Sequence, residues 1–174
     1  MKTLYIERST GASRDGSWVN DLDLDGVERI VVGTGPGSFA GIRSALAFAQ
    51  GYALGKHCEV LGLPSACALA GDGKIAVVGD ARQGKAWIAL FDGYRQECEV
   101  FQVEQSELKW AVPADCRVTT PDEQRIGTML AETFCERYLG GQTPTSDGLR
   151  RFAEAAPKIL KPEPLPIYLN PAVR

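Results

Sequence analysis

Histidine is nearly absent: the 174 residues include one, His57. A metal site built on a histidine pair, such as H-E-x-x-H, cannot form within this chain. Any Ser-His-Asp system would have to run through His57 alone. Positive charge is not in excess either, because Lys and Arg total 19 against 22 Asp and Glu, a net charge of −3. A domain that binds nucleic acid by itself usually carries a basic stripe, and the whole-chain charge gives no support for one. No apolar run approaches the roughly 18 residues of a membrane-spanning helix. The N-terminus lacks the longer apolar stretch and cleavage site of a signal peptide, so the expected location is the cytoplasm. The five cysteines are odd in number and none are spaced C-x-x-C. A disulfide framework is not expected, and a reducing compartment is.

What is present suits a folded core. Apolar residues make up 44% and charged residues 24%. At about 150 residues per domain, the length fits one unit or two small lobes. Short β-branched runs at 3–6, 28–33, 59–63, 74–79 and 85–91 read as strands, and a short strand is expected around 17–22. Asp92-Gly93 reads as a hairpin turn, with 97–103 as its return strand. Helical spacing marks 39–55, 122–139 and 149–156, with a short helix at 64–70. Residues 116–119 read as a further strand. The tail 157–171 holds five of the ten prolines and is expected to run extended. Alternating strands and helices with a central hairpin indicate an α/β fold with sheets of mixed direction. A boundary near residue 62 would give lobes of 1–62 and 63–174.

The densest motif is Gly33-Thr34-Gly35-Pro36-Gly37-Ser38-Phe39-Ala40-Gly41-Ile42-Arg43. It lies between a buried strand and a helix, so backbone N–H groups and the helix's positive end converge, which suits an anion. Ser38 is a natural N-cap. A plain tight turn explains the same glycines. Neither the P-loop nor the dinucleotide fingerprint fits, because Ile42-Arg43 follows Gly41 and the G-x-G-x-x-G spacing fails. Arg43 in the first helical turn opposes the helix dipole, which calls for a carboxylate or a bound phosphate beside it.

The helix carries rows of small residues: Gly41, Ala45, Ala49 and Ala53 form one, and Ala47, Gly51 and Gly55 another. Such rows allow close helix contact, with the chain's own sheet or with a partner. Asp80 and Arg82 follow a strand, where Asp either serves metal or hydroxyl chemistry or ties a turn through backbone N–H groups. Glu7 closes the first strand and could join Asp80 as a carboxylate pair. His57-Cys58 is not a nucleophile pair, because adjacent extended residues point to opposite faces.

Gly35-Pro36-Gly37-Ser38-Phe39-Ala40-Gly41-Ile42-Arg43, the helix through Ala49-Gln50-Gly51-Tyr52, the turn Asp80-Ala81-Arg82-Gln83-Gly84 and the ending Pro166-Ile167-Tyr168-Leu169 resemble the TsaB (YeaZ) family. The resemblance runs from Glu28 to Val173. It implies an actin-like, RNase H-like ATPase fold of two small lobes. It implies a non-catalytic scaffold in forming N6-threonylcarbamoyladenosine at position 37 of tRNA, partnered by a TsaD-like catalytic subunit and a TsaE-like ATPase. By the same resemblance the chain holds no catalytic or metal residue and no cofactor of its own, with ATP or ADP and Mg²⁺ confined to the complex interface. The binding residues would be Gly35, Pro36, Gly37, Ser38, Gly41, Arg43, Asp80 and Arg82. The contact face, for a partner or a homodimer, would hold Ala45, Ala47, Ala49, Gly51 and Tyr52. Three departures stand out. Glu7-Arg8 replaces the family's Asp-Thr, Asn170 replaces an Arg, and the span from Thr10 to Val27 has no room for the family's hairpin and helix. A shortened first lobe is therefore expected. The rival readings are a small Mg²⁺-dependent nucleotide or phosphate hydrolase and a structural module that only self-associates.

Overall fold

The computed structural model describes residues 1–10 and 17–169. The start of the polar stretch expected before Val27 and the Asn170 position lie outside the described residues. The chain divides into two compact units. Among the described residues, unit 1 takes Met1–Ala68 and Pro144–Tyr168, and unit 2 takes Leu69–Thr143 with Leu169. The expected cut at residue 62 therefore differs from the observed division, because a C-terminal segment returns to the first unit.

Unit 1 is built on the strands β1 (Lys2–Ile6), β2 (Val27–Gly33) and β3 (Glu59–Leu63), with the short β10 (Lys161–Pro162) on the edge. The order is β1-β2-β3-β10, parallel except for β10. Helix α1 (Phe39–Lys56) crosses from β2 to β3 and packs Ile42, Ala45, Leu46 and Ala49 against Ile6, Val27, Ile30 and Val32. Strand alternation sends the buried Val31 to the other face. On β1 packs α4 (Ser146–Ala155), which buries Leu149, Phe152 and Ala153. That apolar stripe explains why residues 144–168 belong here. The expected strand at 17–22 is instead a 3₁₀ turn, Ser17–Asp21. Its Trp18 meets Phe48 of α1 edge-on at 5.4 Å, so this short turn covers a flank of α1.

Unit 2 holds the long antiparallel pair β4 (Lys74–Arg82) and β5 (Lys85–Asp92). Beyond β5 lie β6 (Arg95–Gln96) and β7 (Phe101–Glu104), so the expected return strand is broken in two. Helix α2 is one turn, Leu108–Ala111. On the other side of β4, β8 (Arg117–Thr120) and then β9 (Tyr138–Gly141) add in parallel. Helix α3 (Glu123–Phe134) seats Ile126, Leu130 and Phe134 on Ala76, Val78, Ala86, Ile88 and Val118. The expected helix 122–139 is shorter because Cys135 turns to φ 51° and the chain then pairs with β8.

Leu130 is fully buried in this core. Leu130→Ala should cost about 2–5 kcal/mol, since the neighbours can only partly close the cavity. Urea unfolding should show this as a lower midpoint with an unchanged slope.

Candidate functional site

The glycine loop, residues 33–38, connects β2 to α1 within unit 1. Gly33 to Pro36 are buried, and the Gly35–Pro36 bond is cis. The amides that could cradle an anion largely have partners inside the protein. Thr34 N–H donates to Leu63 O at 2.9 Å and Ser38 N–H donates to Ser9 O at 2.6 Å. Gly35 N–H donates to Ser65 Oγ at 2.9 Å, and Ser65 N–H donates back to Gly35 O at 2.8 Å. Gly41 N–H donates to Ser38 Oγ at 3.3 Å, which confirms Ser38 as the N-cap of α1. Ile167 N–H donates to Thr34 O at 2.8 Å, so the tail also ties down on the loop.

Two glycines are set by close approach. A Cβ on Gly33 would overlap Glu7 Oε2, and one on Gly37 would overlap the Ser9 carbonyl. The segment after β1 thus lies against the loop. Glu7 Oε1 accepts the Ser9 N–H at 2.6 Å, while Oε2 is buried with no partner in hydrogen-bond geometry among the described residues. Burial pushes the Glu7 carboxyl above its ordinary pKa. The Ser9 and Ser65 hydroxyls and the Ser9 and Arg8 N–H groups counter that only in part.

Arg43 solves its dipole conflict in an unexpected way. Its guanidinium stands 4.6 Å from the Phe39 ring, which in turn packs against Tyr168 at 5.7 Å. The Phe39 ring face offsets part of the charge. Of the expected contact residues, Ala45 and Ala49 are fully buried in the unit's own core, a correction to their placement on a partner face. Their row is the one whose small size lets α1 approach the sheet. Tyr52 is half-buried and its hydroxyl donates to Leu24 O at 2.8 Å. Ala47 and Gly51 are exposed, in one strip with Arg43 and Leu54. Leu54 is 83% exposed.

Asp80 and Arg82 belong to unit 2, and the loop residues belong to unit 1. The turn reading of Asp80 holds, because its Oδ1 accepts the Arg82 N–H at 2.9 Å. Asp122, which the sequence reading passed over, accepts the Asp80 N–H at 2.9 Å. Its signal was an Asp immediately before a helix. No group of three or more His, Cys, Asp or Glu side chains among the described residues could hold a metal. Among those residues no helix is long and apolar enough to cross a membrane.

The mixed α/β fold matches two solved YeaZ structures, which have the actin-like, RNase H-like fold. One is described as an uncharacterized protein with similarity to peptidase YEAZ from Pseudomonas aeruginosa, with a TM-score of 0.65 and 20% identity over 90% of this chain and 80% of that one. The other, YeaZ from Pseudomonas aeruginosa, has a TM-score of 0.65 and 21% identity, covering 88% and 79%. The model of the family described as TsaD, tRNA N6-adenosine threonylcarbamoyltransferase, matches residues 19–110, just over half of the chain. The tRNA threonylcarbamoyladenosine biosynthesis protein TsaB of Escherichia coli K12 is 30% identical over 110 residues, covering 59% of this chain and 47% of that protein. The chain thus spans about half the length of this curated relative. The chain belongs to this family and, within it, to the TsaB/YeaZ proteins.

Two outcomes test the packing of the loop. Gly33→Ala should destabilise the fold by about 1–3 kcal/mol through overpacking, and Glu7→Ala in the same chain should recover part of that loss. A double-mutant cycle by chemical denaturation reads the coupling. Because the folded pKa of Glu7 is raised, folding binds its proton more tightly, and stability drops as pH rises above the ordinary glutamate range. The Glu7→Gln chain should lack this component, so its melting temperature should gain on wild type as pH rises above the ordinary glutamate range.

Proposed function

We propose that this chain is a non-catalytic scaffold subunit in tRNA N6-threonylcarbamoyladenosine formation. It pairs with a TsaD-like catalytic subunit in the cytoplasm, and a TsaE-like ATPase joins the pair. Membership of the TsaB/YeaZ family supports this reading, as does the wording of the curated relative's name. The observation that carries it is the exposed strip on α1. Ala47 and Gly51 offer no bulk there, Leu54 is 83% exposed, and a Cβ on Gly51 or Gly55 would meet nothing within 4 Å. A strip of small residues that ends in an exposed leucine suits a closely packed partner helix. The internally bonded glycine loop favours the same role, since its amides fasten α1 to the sheet and set the strip's position.

Co-expression with the TsaD-like protein of the same organism tests the proposal. A stable complex is expected on gel filtration with light scattering. Leu54→Asp should leave the free chain folded and weaken the complex tenfold or more, as loss of a buried apolar anchor does. A folded wild-type chain that forms no complex at micromolar concentration overturns the reading. Self-association without hetero-complex would favour the homodimer instead.

A further inference from the structure

Arg43 calls for an anion that its own surroundings do not supply. Its guanidinium makes no ion pair and no hydrogen bond among the described residues, and it stands 4.6 Å over the Phe39 ring. A guanidinium that lies on a ring keeps the N–H fork along its edge free, and that fork matches a carboxylate bidentately. The ring beneath belongs to an exposed aromatic patch. Phe39 is 57% exposed, and Tyr168, 5.7 Å from it, is 55% exposed. Both rings are carried by anchored backbone. Ser38 N–H, just before Phe39, donates to Ser9 O, and Ile167 N–H, just before Tyr168, donates to Thr34 O. Tyrosine and arginine are among the residue types that carry most of the energy at protein interfaces.

The rest of the helix face selects the occupant. From Phe39 the row on α1 runs through Arg43, Ala47 and Gly51 at four-residue steps and reaches Leu54. Ala47, Gly51 and Leu54 carry no charge, whereas a nucleic acid backbone is held by successive cations. The small residues instead let a second helix come close. At the far end of the row a cavity of about 560 Å³ is lined in part by Ala53, Leu54, Val60, Pro164 and Leu165. Leu165 is itself 77% exposed. Arg43 and Leu54 are about 16 Å apart along the helix axis. A helix laid on this row takes water away from Arg43, and a desolvated guanidinium without a partner charge is costly. The partner must therefore bring the anion.

We infer that the Arg43 fork, seated on Phe39 beside Tyr168, takes a carboxylate from a helix of the catalytic subunit, and that the same helix places an apolar side chain in the cavity beside Leu54. The two groups on that helix would stand about eleven residues apart, matching the rise between Arg43 and Leu54. The inference rests on the scaffold reading and adds to it the chemistry and spacing the partner must have.

Calorimetric titration of the full chain with the TsaD-like protein of the same organism tests it. Arg43→Glu should weaken the complex about tenfold or more, as removal of one member of a desolvated charge pair does. Arg43→Lys should recover part of the loss, since an ammonium keeps the charge but lacks the fork. Arg151→Gln, on the exposed side of α4, should bind as wild type does. One Asp→Arg or Glu→Arg change on the partner's surface helices should restore binding to the Arg43→Glu chain. A complex indifferent to Arg43→Glu overturns the inference and leaves the scaffold reading standing, and absence of any complex removes both. Equal weakening by Arg151→Gln marks general surface charge and overturns the inference, as does failure of every acidic position of the partner to restore binding. Binding of the free chain to tRNA that is lost in Arg43→Glu would assign the patch to RNA and overturn it too. Circular dichroism melts of each variant separate lost binding from lost fold.

Discussion

The close seat of the glycine loop on the chain that leaves β1 is the contact on which unit 1 depends. Gly33 and Gly37 have no side chain because Glu7 and the Ser9 carbonyl occupy that space. The same approach lets Ser9 O take the Ser38 amide, which fixes where α1 starts. Ser65 holds the loop from the β3 side with a reciprocal pair of bonds to Gly35. A glycine-rich strand-to-helix turn can serve an anion or its own protein, and here most of the amides are committed inward.

Unit 2 uses carboxylates in the opposite way. Asp80 and Asp122 each spend an oxygen on a backbone N–H of β4, which organises a turn whose torsions are otherwise unfavourable. Glu123 lies against Gly127 and Gly141 and accepts from the Tyr138 hydroxyl, so the start of α3 is bound to β9 as well. Three acidic residues at one helix start therefore join three elements, β4, α3 and β9.

Much of the architecture was legible because it is local. The β-branched runs and the small-residue helix declare themselves by period, and β3 runs over 59–63 as its pattern indicates. The errors are non-local. Residues 135–139 continue the helical spacing of α3, yet they leave it because β8 offers a parallel partner, which no window of sequence displays. The 17–22 stretch alternates like a strand but becomes a 3₁₀ turn that gives Trp18 to Phe48. At the candidate site, Ser38 and the turn role of Asp80 follow from capping chemistry. Glu7 was visible as a charge at a strand end, but its fit against Gly33 is a matter of ångströms.

Unit 1 draws its strands β1 to β3 and α1 from the first 68 residues and α4 and β10 from 144–168. The strands of unit 2 all come from 74–141, between those two parts. During synthesis, then, the hairpin unit can pair its strands while still attached to the ribosome. The first unit waits with one face of β1 uncovered until Leu149 and Phe152 emerge. Its exposed apolar sheet face is thus a period of vulnerability to misassociation, whose length is set by translation of the intervening segment.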